Sequence, residues 1–130
     1  MTIKCIKACG DDAGKEYTTV GSEYAVIEII CTKNKSQDGW RIHYRIIDDD
    51  GIPAMYKVEY FEILNNDLAN MVMCEKAYGY VITHRLIADS SLEKENLNGF
   101  WGVYFETENI IAKRILEEVL HEILQEEGTI

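Results

Sequence analysis

Three consecutive carboxylates are the residues whose types and spacing most resemble a chemical site. Asp48, Asp49 and Asp50 precede Gly51, and aspartates bind hard cations such as Ca²⁺ through oxygen. The third ligand position and the distant glutamate of a calcium-binding loop are not at the required spacing. The sequence therefore favours a hairpin turn over a cation site. Clustered exposed aspartates would also suit a basic partner.

Cysteines offer a second candidate for metal chemistry. Cys5 and Cys9 are separated by three residues rather than the two that are typical of zinc sites, and no second close pair follows. The first residues lack the apolar segment of a secretory signal, so we expect a cytoplasmic protein whose four cysteines are reduced thiols. Cys31 and Cys74 lie in apolar runs, where a cysteine packs as a small hydrophobic residue.

The three histidines are dispersed along the chain. His43 and His84 could face each other across strands, as in a metal-independent nuclease, while His121 lies in the last segment as a surface partner of Glu117. An acidic chain is a poor host for phosphodiester chemistry. No phosphate-binding loop, dinucleotide fingerprint or nucleophile elbow is present. We therefore expect no enzymatic activity, no cofactor and no metal.

The charge of the chain is strongly acidic and unevenly distributed. There are 23 acidic and 13 basic side chains, which gives a net charge of −10. Residues 1–88 carry a net charge of −3, and residues 89–130 carry −7. This balance disfavours nucleic acid and favours a basic protein partner, although the same acids also keep a protein soluble. No apolar stretch approaches the roughly 20 residues of a membrane span.

The pattern of apolar residues predicts one α+β domain over residues 1–130. We divide it into a β-rich part (1–64), a part with further strands and a short helix (65–106), and a C-terminal helix (107–127). Alternating and β-branched residues predict strands at 3–8, 23–32, 40–47, 78–88 and 99–106, and one or two short strands at 54–64. A short helix is predicted at 68–74, and a helical turn at 89–98. These elements predict an antiparallel sheet or barrel packed against the terminal helix.

The terminal helix is the clearest element. Apolar residues from Ile110 to Leu124 follow the spacing of one helical face, with Thr107 as a possible N-terminal cap and Gly128 as a stop. The opposite side carries an acidic stripe with no basic partner beyond Arg114. The stripe consists of Glu118, Glu122 and Glu126.

Aromatic residues that border polar turns are candidate interface anchors, because Tyr and Trp are favoured at protein interfaces. The alternative is that they are core and sheet-face residues. The candidates are Tyr56, Tyr60, Phe61 and the pair Phe100–Trp101.

A part of the chain resembles a known group of small domains. Residues 19–26, 44–51, 56 and 60–63 follow the pattern (V/I)GxxYxV, YxIxDDxG, Y and FE(V/I). That pattern is similar to one in small bacterial and phage proteins with SH3-like β-barrels. The resemblance covers residues 17–64 and implies an SH3-like fold there. The other half of the chain, with its extra strands and terminal helix, departs from a simple barrel.

In size, acidity and lack of catalytic residues the chain is similar to immunity proteins of bacterial toxin systems, including contact-dependent growth inhibition. Such a protein stays in the cytoplasm and neutralises a cognate toxin, often a basic nuclease, by covering its active site. The alternative is a phage or mobile-element accessory domain that binds a host protein or a small ligand. The residues expected to bind the partner are Asp48, Asp49, Asp50, Tyr56, Tyr60, Trp101, Glu118, Glu122 and Glu126.

Overall fold

The computed structural model describes residues 1–33, 39–95, 99–106 and 110–127. The strands in these ranges are β1 (Thr2–Cys5), β2 (Glu23–Ala25), β3 (Glu28–Lys33), β4 (Trp40–Ile47), β5 (Pro53–Lys57), β6 (Phe61–Asn65), β7 (Met71–Lys76) and β8 (Gly79–His84). The helices are α1 (Arg85–Ala88), α2 (Ser91–Glu95), α3 (Gly99–Glu106) and α4 (Ile110–Glu126). The predicted cap Thr107 and the predicted stop Gly128 lie outside the described residues.

The strands form two antiparallel sheets. One has three strands in the order β2-β1-β6, and the other has five in the order β5-β4-β3-β8-β7. Both sheets are open, so the described strands form sheets rather than a closed barrel. The predicted α+β class, with antiparallel strands and a long C-terminal helix, is confirmed. None of the described helices combines the length and the apolar character that a membrane span requires.

Strand β3 is the centre of the larger sheet and contributes side chains to both of its faces. Ile29 and Cys31 join a first core, which draws on strands of both sheets. Glu28 and Ile30 alternate with them and lie on the opposite face, because successive strand residues point to opposite sides. A second core lies among the helices and includes Ile27, which precedes β3. Its buried members are Ile27, Ile87, Phe100, Trp101, Ala112, Leu116 and Ile123.

The predicted strand at 99–106 is wrong, because this segment forms helix α3. Its aromatic residues share a helical side: the rings of Trp101 and Tyr104 are 5.6 Å apart, and those of Trp101 and Phe105 are 6.3 Å apart. Gly99 begins the helix with a φ of 69°, a conformation that favours glycine. Packing of these rings in the second core therefore overrides the β propensity of aromatic residues.

The predicted helix at 68–74 is also wrong, because Met71–Lys76 form β7 and pair with β8. The polar residues that precede this segment close two local turns. The backbone N–H of Asp67 donates to Asn65 Oδ1, and the N–H of Ala69 donates to Asp67 Oδ1. Side chains of this kind offer the backbone an alternative to a helix.

Three other segments differ from the prediction in their boundaries. The strand predicted at 3–8 ends at Cys5 as β1, and the segment 23–32 is divided into β2 and β3, which belong to different sheets. Of the one or two strands predicted at 54–64, two are observed, β5 and β6, in different sheets. The strand predicted at 78–88 ends at His84, where α1 begins. The strand at Trp40–Ile47 and the helical turn within 89–98, observed as α2, are confirmed.

We predict that Phe100→Ala lowers the free energy of unfolding by about 3–5 kcal/mol, because it empties a fully buried site in the second core. Phe105→Ala on the same helix is the matched control. The Phe105 side chain is 49% exposed, so its loss should cost about 1 kcal/mol or less. Urea denaturation measures both values. Equal losses would show that α3 does not pack as described.

Candidate functional site

The three aspartates form the β4–β5 turn and are used by the chain itself. Asp48 is buried, and its Oδ1 accepts hydrogen bonds from the backbone N–H groups of Asp50 and Ile52 at 3.0 Å. Its Oδ2 accepts from the hydroxyl of Tyr56 at 2.7 Å. Burial and this hydrogen bond raise the pKa of Tyr56. The predicted hairpin turn is therefore present, with Asp48 as its organising acceptor.

Asp49 and Asp50 connect the same turn to the loop that precedes β2. Asp49 accepts from Thr19 Oγ1 at 2.6 Å and from the hydroxyl of Tyr24 at 2.7 Å. Asp50 forms a surface ion pair with Lys15 at 2.9 Å. Each aspartate thus has an intramolecular partner, so the three carboxylates are less available to a basic protein.

The predicted aromatic anchors lie in or against the cores. Trp101 is only 7% exposed and belongs to the second core. Tyr60 is partly buried against the first core, and Lys7 Nζ lies 5.5 Å from its ring centre. Tyr56 is partly buried and binds Asp48. A partner can contact Tyr60 only at its exposed edge.

The acidic stripe of α4 is divided by the structure. Glu118 and Glu122 are exposed, and their carboxylates form no ion pair with another described residue. Glu126, by contrast, forms an ion pair with Arg85 of α1. The expectation that the stripe has no basic partner beyond Arg114 is therefore wrong at Glu126.

The end of α4 is fixed by a polar cluster that includes a fully buried histidine. His84 Nδ1 accepts from the N–H of Leu86 at 3.3 Å and so caps α1, which leaves the ring proton on Nε2. Nε2 lies 3.0 Å from Glu126 Oε2, without the alignment of a hydrogen bond, and 3.7 Å from Glu127. Glu127 also pairs with the α-amino group of Met1. Burial lowers the pKa of His84, against the opposing effect of the two glutamates.

His43 and His84 do not form a catalytic pair. His43 lies opposite Ile30 in the sheet, and Ile30 lies opposite Val81 of β8. Strand β3 therefore separates the two histidines by about 10 Å or more.

Cys9 and Cys5 both approach Thr18, and no group of three or more His, Cys, Asp or Glu side chains within the described ranges could hold a metal ion.

A cleft of about 440 Å³ lies between the larger sheet and α3. Its floor carries Glu28 and Arg45, which are opposite each other on β3 and β4 and are 6% and 7% exposed. Burial raises the pKa of Glu28 and lowers that of Arg45, while their mutual attraction opposes both shifts. We define this cleft by its lining residues, which are Glu28, Ile30, Thr32, Arg45, Met55, Lys76, Tyr78, Glu93, Trp101, Gly102, Phe105 and Glu106.

Arg45 holds the floor of the cleft together. Its Nε lies 3.4 Å from Glu28 Oε1, and its Nη1 donates to the carbonyl of Pro53 at 2.9 Å. The guanidinium carbon lies 4.5 Å from the ring centre of Trp101 and 5.6 Å from that of Phe105. These are distances at which a cation is attracted to an aromatic ring.

A second ion pair borders the cleft. Lys76 Nζ donates to Glu93 Oε1 at 2.7 Å, and Glu93 Oε2 accepts from the N–H of Phe100 at 2.7 Å. A methyl group at Gly99 would come within 2.6 Å of Glu93, so glycine permits this close contact.

The cleft was not predicted from the sequence. The available signal was Glu28, a lone charged residue within the apolar run 24–31, where an unpaired charge would be costly. Its partner Arg45 and the aromatic wall at Phe105 depend on strand register and on α3. Neither is visible in a local pattern.

We predict that Asp48→Ala lowers the free energy of unfolding by about 2 kcal/mol or more, because it leaves three hydrogen-bond donors without their acceptor. Asp50→Ala removes only an exposed ion pair and should cost about 0–1 kcal/mol. Chemical denaturation of both variants tests this difference. A larger loss at Asp50 would contradict the assigned role of Asp48.

The lowered pKa of His84 predicts a dependence of stability on pH. The folded state binds fewer protons at this site than the unfolded state, whose histidines titrate near 6.5. The stability that neutral His84 contributes to the folded state is therefore complete above about pH 6.5. It is lost as the pH falls below that value, by at most about 1.4 kcal/mol per pH unit. His84→Asn retains a capping oxygen and should flatten the decrease between pH 7 and 5.5 in urea titrations.

His121→Asn is the control, because this histidine is exposed on α4. The free energy of unfolding of His121→Asn should decrease between pH 7 and 5.5 as steeply as that of the parent protein. If His84→Asn has the same slope as the parent protein, the pH dependence does not arise from His84.

Comparison of the sequence with models of protein families gives no match, and comparisons with curated proteins and with solved structures give none either. The resemblance of residues 17–64 to SH3-like domains and the likeness to immunity proteins therefore stay predictions. The function of the chain is inferred from its own side chains.

Proposed function

We propose that the chain is an immunity-type inhibitor, which binds and neutralises a cognate basic bacterial toxin through the outer face of α4. This face carries Ile110, Ile111, Glu118 and Glu122. The observation that carries this proposal is that Glu118 and Glu122, one helical turn apart, are exposed and form no ion pair within the described part of the chain. In this proposal the protein acts in the cytoplasm without a cofactor, and its action is binding rather than catalysis.

The outer face of α4 also carries exposed apolar surface. Ile110 and Ile111 are 71% and 61% exposed. Ile111 lies seven residues before Glu118, so the two occupy nearly the same side of the helix. An apolar patch beside charged residues has the general composition of a protein interface, with an apolar centre and a polar rim.

Electrostatics supports the same face. The segment 89–130 has a net charge of −7, and in the rest of the chain Glu28 and the three aspartates of the β4–β5 turn already have partners within the molecule. A surface of one sign raises the rate at which an oppositely charged partner associates, by about 10- to 1,000-fold at low salt. A basic toxin domain has the charge that this face would attract.

The alternative is an accessory binding domain of a phage or mobile element. Co-expression with the polypeptide encoded next to this chain, followed by purification in low and high salt, separates the two. A complex with a basic toxin whose activity is lost on binding supports the inhibitor. A complex with a non-toxic host protein supports the alternative.

We predict that Glu118→Lys with Glu122→Lys lowers the rate of association with the toxin by about tenfold or more at low salt. The effect should decrease as salt is added, because the screening length is about 10 Å at 0.1 M. The variant should fold as the parent does, since both side chains are exposed. Surface plasmon resonance at several salt concentrations measures the rates.

Glu62→Lys with Glu75→Lys is the matched control. Both residues are exposed, and they lie on β6 and β7 rather than on α4. This variant has the same net charge as the test variant, so it reports the effect of overall charge alone. If both double variants associate equally fast, the outer face of α4 is not the binding site.

A further inference from the structure

The cleft between the larger sheet and α3 has the dimensions of a ligand site. Its volume of about 440 Å³ lies within the roughly 300–1,000 Å³ that is typical of small-molecule sites. Three large side chains at its border remain about half exposed, namely Met55 at 49%, Tyr78 at 52% and Phe105 at 49%. The cleft therefore has apolar walls that solvent still reaches.

The floor of the cleft is more polar than the fold alone requires. Glu28 and Arg45 are each more than nine-tenths buried, and a buried ion pair stabilises a fold no better than apolar residues of the same size. Buried ionisable groups with perturbed titration in a cleft are typical of functional sites. Packing alone therefore does not account for the Glu28–Arg45 ion pair.

The ion pair has unused hydrogen-bonding capacity. Arg45 uses Nε for Glu28 and Nη1 for Pro53, and within the described residues its Nη2 has no acceptor. Glu28 uses Oε1, and its Oε2 accepts no hydrogen bond from a described residue. A donor and an acceptor of opposite charge therefore lie side by side on the floor.

The charges of the cleft select against charged ligands. An anion that approaches Arg45 meets the carboxylate of Glu28, and a cation that approaches Glu28 meets the guanidinium of Arg45, 3.4 Å away. The Lys76–Glu93 pair at the border is balanced in the same way, and Glu106 of α3 adds one further carboxylate to the lining, which disfavours an anion. A neutral group with an acceptor next to a donor satisfies both floor residues without leaving a buried charge unpaired.

We propose that this cleft binds a neutral planar molecule whose edge carries a carbonyl oxygen beside an N–H group, as in an aromatic carboxamide or a lactam ring. The carbonyl accepts from Arg45 Nη2, and the N–H donates to Glu28 Oε2. The ring packs against Phe105 and Tyr78, since aromatic rings stabilise one another by edge-to-face and offset contacts.

The site is independent of the proposed inhibitor function. None of its lining residues is Glu118, Glu122, Ile110 or Ile111 of the outer face of α4. The Glu118→Lys, Glu122→Lys variant should therefore bind the ligand as the parent does. Loss of toxin binding and loss of ligand binding are separate results.

Three probes with one ring and different charge test the proposal on the full chain. Benzamide is neutral, benzoate is an anion and benzamidine is a cation at pH 7. We expect benzamide, titrated to about 10 mM, to shift the indole N–H signal of Trp101 and to bind at least tenfold more tightly than either charged probe. The indole of Trp40, which is outside the cleft, should not move. Equal binding of the three, or no shift with benzamide, overturns the proposal.

Two variants locate the binding and test its charge selection. Phe105→Ala removes an exposed wall and should weaken benzamide binding several-fold, whereas Ile110→Ala, a matched loss of exposed apolar surface, should not. Glu28→Gln leaves Arg45 without its counter-charge and should shift the preference towards benzoate. If Glu28→Gln does not fold, the Phe105→Ala comparison alone decides. Unchanged benzamide affinity in Phe105→Ala overturns the assignment.

Discussion

Arg45 connects the larger sheet to the helical layer, because its guanidinium contacts Glu28 on β3, the carbonyl of Pro53 on β5 and the rings of Trp101 and Phe105 on α3. A buried guanidinium requires partners on several sides, since an unpaired charge in the interior is strongly unfavourable. The register of β3 on β4 and the position of α3 are therefore linked through one side chain. The cleft is the space that remains beside it.

This constraint, together with the packing of Phe100 and Trp101 in the second core, favours a helix at α3. Trp101 and Phe105 are four residues apart, which is about 6 Å along a helix but about 13 Å along a strand. Only the helix brings both rings within 6 Å of one guanidinium carbon. The aromatic composition of 99–106 favours a strand when it is considered alone, and this preference is reversed by a contact with a residue more than 50 positions away in the chain.

Elements with a local physical cause are the ones that sequence reasoning predicts. The Asp-Asp-Asp-Gly turn, the alternating strand β4 and the amphipathic α4 each depend on residues within a few positions. Strand β7 depends on its pairing with β8, and its solvent-facing residues give no clear alternation. The site follows the same division: exposed acids on α4 were predicted, whereas the Glu28–Arg45 floor depends on register and was not.

The acidic side chains of this chain differ in the interactions that a partner would have to replace in order to bind them. Asp48 and Glu126 already hold intramolecular donors, so a partner that used them would have to replace existing interactions, worth about 1.5–3 kcal/mol for a hydrogen bond to the buried Asp48 and about 0–1 kcal/mol for the exposed Arg85–Glu126 pair. Glu118 and Glu122 have no such partner among the residues that the structure describes, so no interaction there has to be replaced. They are also held on a fixed helix, because Leu116 and Ile123 are buried and the end of α4 is anchored at His84. A surface that is ordered before binding loses less conformational entropy on association, which favours α4 over the aspartate turn as the place where a basic partner binds.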